Sequence, residues 1–177
     1  MKQYLILALM IIGLSASYAQ ESKTVAALKQ KVEKGDANAA IKLAYYYEVA
    51  LDGCPRDSVA AFKLYQKADQ LGHKDAKAHM AVYYIEGKGG VARDTNQYYQ
   101  LSKASADAGS ALGLYRQGVC YSRGFIVKRD FDKAYELKVK AANMGCPNAL
   151  ESMGNWYRLV SHVGRFVQFA DCRLEFF

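Results

Sequence analysis

Residues 133–145 read KAYELKVKAANMG, and near copies stand upstream at 60–72 (AAFKLYQKADQLG) and 97–109 (QYYQLSKASADAG). Text that returns at a fixed interval marks an array of structural units rather than a catalytic motif. Other columns keep the same beat. Glycines at 35, 72, 109 and 145 are spaced by 37, 37 and 36 residues, and Tyr47, Tyr84, Tyr121 and Tyr157 share that spacing. The dipeptides Arg56-Asp57, Arg93-Asp94 and Arg129-Asp130 repeat with them.

Each unit divides into two helices. In the first, Ala39, Leu43, Ala44 and Tyr47 fall on one face of a 3.6-residue helix, as do Ala76, Met80, Ala81 and Tyr84. Ala44, Ala81, Gly118 and Gly154 form a column of very small side chains. Glycine in a helix interior costs about 1 kcal/mol relative to alanine, so its use at 118 and 154 predicts close approach of a neighbouring backbone. The second helix starts at the Asp of Arg-Asp, whose carboxylate can accept from the first free N–H groups and suits the positive helix end. That capping role explains the recurring aspartates without catalysis. Ala61, Leu64, Ala68 and Leu71, and again Ala134, Leu137, Ala141 and Met144, supply the apolar stripe. The phased glycine then ends the helix. The middle connection, EGKGGVARD (86–94), is rich in glycine, but no Lys-Ser/Thr follows as in a phosphate loop and no strand precedes it, so it reads as a turn. A two-helix unit of this kind leaves its apolar face bare unless the next copy covers it. The sequence therefore predicts an all-α solenoid of helix–turn–helix repeats: 36–72, 73–109 and 110–145, then the first helix of a fourth at 146–160. Val25, Leu28 and Val32 make residues 20–35 an N-terminal capping helix.

The start of the 177-residue chain has a different grammar. Lys2 precedes the apolar run YLILALMIIGL, and Ser17-Tyr18-Ala19 follows. This pattern predicts a secretory signal peptide over 1–19 and export to the periplasm or medium. The run is too short to span a bilayer, so no transmembrane segment is expected in the mature form. The formal charge is +7. Outside the cytoplasm such a balance directs attention to acidic partners rather than nucleic acid. Four cysteines (Cys54, Cys120, Cys146 and Cys172) suggest disulfides in an exported chain, but their spacing assigns no pairing and contains no Cys-x-x-Cys. His73, His79 and His162 lack metal-ligand spacing, so neither metal nor cofactor is expected.

With these columns in place, GKGGVARD (87–94) and KAYELKVKAANMG (133–145) resemble the Sel-one-like repeat, a relative of the tetratricopeptide repeat, over roughly residues 36–160. The resemblance implies a right-handed α/α superhelix that serves as an adaptor for other proteins, often in the bacterial envelope or in secretion and stress pathways. Departures are visible. Tyr98 and Ser105 replace alanines, and the third connection, GFIVKRD (124–130), is one residue short. Residues 161–177 lack both the Arg-Asp and the terminal glycine. Phe166, Ala170, Leu174 and Phe177 could form a capping stripe there, or the tail is an altered repeat.

Two columns flank the buried face of the first helices. One holds Lys42, His79, Arg116 and Ser152, and the other Tyr46, Tyr83, Cys120 and Trp156. Stacked units would align Lys42, Tyr46, His79, Tyr83, Arg116 and Trp156 into a basic, aromatic stripe that suits an acidic protein or peptide, or an anionic glycan. The bland alternative is that the tyrosines and Trp156 are packing residues and the cations are solvated. The leading expectation is a non-enzymatic interaction scaffold of the bacterial cell envelope or secretome, with no catalytic residues. An enzyme acting on β-lactams or cell-wall peptides is the alternative, implied by a cysteine-rich branch of the same family; Ser-x-x-Lys, Lys-Thr-Gly and that branch's regular cysteine pairs do not occur here. Self-association through the open fourth unit is a third reading.

Overall fold

A computed structural model of the chain describes residues 22–155. The expected leader, Trp156, Cys172 and the tail at 161–177 lie outside them. Among the described residues regular structure is helical throughout: α1 Lys23–Glu33, α2 Ala37–Val49, α3 Ser58–Gln70, α4 Ala76–Glu86, α5 Thr95–Asp107, α6 Ala111–Arg123, α7 Phe131–Asn143, and α8 over 147–155. The helices group into two compact units that divide after Asp94. In the first, α1 packs on α2, α2 on α3 and α3 on α4; in the second, α5 packs on α6 and α6 on α7.

The phased columns become recurring local geometry. Asp57 Oδ1 accepts from the N–H groups of Val59 and Ala60, both at 2.9 Å, and Asp130 Oδ1 accepts from Lys133 N at 2.8 Å. These carboxylates cap α3 and α7. Each Asp is also tied through its own backbone: the N–H groups of Asp57, Asp94 and Asp130 donate to the carbonyls of Tyr47, Tyr84 and Tyr121 at 3.0, 2.8 and 3.1 Å. One main-chain rung thus closes each connection and explains why the Tyr and Asp columns share a phase. At the far end of each second helix, Gly35, Gly72, Gly109 and Gly145 have φ between 79° and 87°, a left-handed turn that a side chain would strain. The next N–H reaches back five residues, as in Asp36 to Lys31 O and His73 to Ala68 O.

The cores are made of small residues and a few rings. In the first unit Val25, Leu28, Ala39, Leu43, Tyr46 and Cys54 cluster, and Ala40, Ala68 and Ala76 form a second contact. In the second unit Leu114, Ala141, Cys146 and Ala149 do so. Alanine at the crossings lets backbones approach where longer side chains would force the axes apart. The expectation for the small-residue column holds at Gly118, where an added Cβ would lie 3.1 Å from Ala134 O. At Gly154 the counterpart of Ala134 is Ala170, which lies outside the described residues.

The short third connection has a local consequence. Ile126 sits at φ 64°, a conformation that opposes a β-branched side chain, and it is exposed. The first and second connections place glycines at comparable points, Gly53 at φ 78° and Gly89 at φ 69°. Replacing Ile126 by glycine is expected to raise stability by about 1 kcal/mol, read as an upward shift of the urea midpoint. An unchanged or lower midpoint would contradict it.

Candidate functional site

The best-defined polar cluster lies in the first unit, where α2, α3 and α4 meet. Glu48, near the end of α2, receives the Tyr65 hydroxyl on Oε2 at 2.9 Å and the Tyr83 hydroxyl on Oε1 at 2.7 Å. Lys88 Nζ stands 3.6 Å from Glu48 Oε1 and 2.7 Å from Glu86 Oε2, and lies 4.7 Å above the Tyr83 ring. His79 stacks on Tyr65, with centroids 4.7 Å apart. Phe62 completes the cluster, 5.1 Å from Tyr83. Both tyrosines are almost wholly buried, so burial first and the adjacent Glu48 second push their hydroxyls well above the usual phenol range. Such hydroxyls donate and do not ionise near neutral pH. Gly89 belongs to this packing, since a Cβ there would meet Tyr83 Cδ1 at 2.5 Å.

The sequence-predicted residues are placed as follows. Lys42 is exposed on α2, beside the exposed Tyr45. Tyr46 is buried in the contact with α1, and Tyr83 is fully buried. Both tyrosines therefore support the surface from beneath instead of lining it. His79 is half-buried against Tyr65. In the second unit Arg116 is half-buried, its Nε buried and, among the described residues, without a hydrogen-bond partner, and its guanidinium lies 5.8 Å from the Tyr115 ring. Nearby Tyr98 is pushed up to about 12, burial outweighing the opposing pull of Arg116. Trp156 lies outside the described residues.

Glu48 was not singled out from the sequence. The one signal for it was its column, which holds Ile at 85 and Ser at 122; a carboxylate there marks a unit that differs from its copies. The described cysteines also depart from expectation. Cys54, Cys120 and Cys146 are all buried and none forms a disulfide. Burial pushes the Cys120 thiol up to about 12. Among the described residues no group of three His, Cys, Asp or Glu side chains could hold a metal ion, and no helix is long and apolar enough to cross a membrane.

Tandem helix pairs, each with a Tyr–Asp backbone rung and a left-handed glycine stop, and with Asp caps on α3 and α7, define an α-solenoid of the tetratricopeptide-like class. The sequence matches the Sel1 repeat at residues 37–73, 74–110 and 111–146, more than half of the chain, and the protein belongs to the Sel1 repeat family. It is similar to the chitin synthase regulator SKT5 of Malassezia restricta, 33% identical over 108 residues that span 60% of this chain and 8% of that one. It is also similar to HRD3B, an ERAD-associated E3 ubiquitin-protein ligase component of Arabidopsis thaliana, 27% identical over 67% of this chain and 18% of that one. The chain thus spans under a fifth of either relative. Among solved structures, a Sel1 repeat protein from Oxalobacter formigenes superposes with a TM-score of 0.64 at 28% identity, over 75% of this chain and 54% of that one. The all-α solenoid class predicted from the sequence is therefore shown. Members of this family are in general scaffolds without enzymatic activity.

Proposed function

We propose that the protein is an exported scaffold of the bacterial envelope or secretome that captures protein partners through exposed residues of its first helices. The observation that carries this reading is the run of three consecutive Sel1 repeats. Two relatives support it, one named as a regulator of an enzyme and the other as a component of a ligase. Basic and aromatic side chains at the surface, Lys42 and Tyr45 in the first unit and the half-buried Arg116 in the second, favour an acidic partner. Export rests on the leader-like residues 1–19.

Crosslinking of the native protein followed by mass spectrometry tests capture. A Lys42→Glu, Tyr45→Ala, Arg116→Glu variant is expected to recover partners at least tenfold less efficiently, with helical circular dichroism unchanged. Equal recovery would place the binding surface elsewhere, and no recovery by the unaltered chain would overturn the scaffold reading. N-terminal sequencing of the product outside the cytoplasm should begin after Ala19. A chain retained with its first residues intact would overturn export.

A further inference from the structure

One slot recurs in the array, bounded by a first helix, the second helix that follows it and the next first helix, and its contents change between copies. In the first unit it is full: the Phe62, Tyr65 and Tyr83 rings occupy it, and Glu48 supplies a carboxylate to the two tyrosine hydroxyls. In the second unit the corresponding place between α6, α7 and α8 is an open cleft of about 180 Å³, lined chiefly by Ser122, Phe131, Ala134, Lys138, Ser152 and Met153.

The repeat register shows how its lining differs. Ser122 stands where Glu48 stands, Lys138 where Tyr65 stands, and Ser152 where His79 stands. A ring has become an ammonium group, and the carboxylate has gone. The polarity of the slot is reversed; Tyr135, the counterpart of Phe62, remains in its wall, and Trp156, the counterpart of Tyr83, lies outside the described residues. The Lys138 stem lies along α6 at Gly118, where a Cβ would sit 3.1 Å from Lys138 Cγ. Lys138 is half-buried and has no carboxylate partner among the described residues. Burial, with Arg123 adding to it, holds its ammonium below the usual lysine range.

We infer that this cleft is a binding site for a carboxylate-bearing side chain of an acidic protein partner, a glutamate whose stem packs between Phe131 and Met153 while Lys138 serves as its counter-ion. The Ser152 hydroxyl completes the donor set, while the Ser122 hydroxyl donates to the Val119 carbonyl at 3.0 Å. The partner would supply from outside the group that Glu48 supplies within the first unit. A partly buried cation with no counter-charge gains most from such an arrival, since the surroundings that penalise it alone strengthen the pair. This inference rests on the scaffold reading and assigns it a specific contact and a chemistry.

The test uses the mature chain and two isosteric probes, N-acetyl-glutamate methylamide and N-acetyl-glutamine methylamide, followed by amide chemical shifts of residues 134–138 and by the Lys138 ammonium titration. The glutamate probe is expected to bind at least tenfold more tightly and to raise the Lys138 pKa, and Lys138→Met should abolish the preference. Equal response to the two probes would overturn the inference. So would a preference that survives in Lys138→Met, or a free protein in which Lys138 already titrates above an ordinary lysine because a carboxylate of residues 156–177 occupies the cleft. The scaffold reading fails separately. Selective probe binding with no partner captured would keep the cleft and lose the scaffold, whereas partner capture unaffected by Lys138→Met would keep the scaffold and lose the cleft.

Discussion

Replacing Glu48 by leucine is expected to destabilise the first unit by about 3 kcal/mol. The carboxylate is the acceptor for two tyrosine hydroxyls whose side chains are nearly inaccessible to water. A buried hydroxyl stripped of its partner costs roughly 1–3 kcal/mol, and Lys88 loses one of its two counter-charges as well. Glu48→Gln keeps one acceptor oxygen and should lose about half as much. Adding Tyr65→Phe and Tyr83→Phe to Glu48→Leu should recover much of the loss, because an apolar cluster no longer strands donors. Urea denaturation followed by circular dichroism reads all three, and a Glu48→Leu protein as stable as the unaltered chain would refute the account. The same cluster sets an alkaline limit. Both hydroxyls hold their protons more tightly folded than unfolded, so their contribution is complete below the unfolded tyrosine pKa of about 10 and declines as pH rises above it. Phenolate absorbance should therefore show two tyrosines that ionise only as the unit opens.

Gly113→Ala is the second large effect, expected to cost about 2 kcal/mol net. Gly113 lies in the first turn of α6, and its N–H donates to the Ser110 hydroxyl that caps the helix, at 2.9 Å. A Cβ there would stand 2.4 Å from Ala106 N and 2.6 Å from Ser105 C. These are backbone atoms of the α5 segment and cannot swing away as a side-chain tip can. Overpacking of this sort typically costs about 1–3 kcal/mol or somewhat more, which outweighs the gain of about 1 kcal/mol from alanine over glycine in a helix. Gly118→Ala is the control: its nearest contacts are Ala134 O and the flexible Lys138 stem, each at 3.1 Å, so a small net change is expected. A Gly113→Ala protein with an unchanged urea midpoint would show that α5 and α6 can separate freely.

What could be read in advance follows from the physics of each feature. Positive-φ glycines and Asp caps are local requirements that every copy must meet, so they recur in phase and reveal the repeat. The Tyr47–Asp57 rung was visible as two columns in step, although the hydrogen bond that joins them was not. Tyr46 and Tyr83 were harder to place. Both sit at the margin of the helical stripe, and a 3.6-residue period cannot say whether a marginal tyrosine turns inward or out. The structure turns them inward because Glu48 awaits Tyr83, and α1 covers Tyr46. Glu48 itself is legible only as an exception within its column.

Each connection is shut by an amide and a carbonyl of the main chain, and no side chain between them takes part in that bond. The third connection makes the same rung with one residue fewer. Residues within these connections can therefore vary in number and kind copy by copy while the helices keep their pairing, except where one packs on the helices as Gly89 does on Tyr83 and Cys54 does in the core. Diversity is admitted at the hinges, and the register of the array survives it.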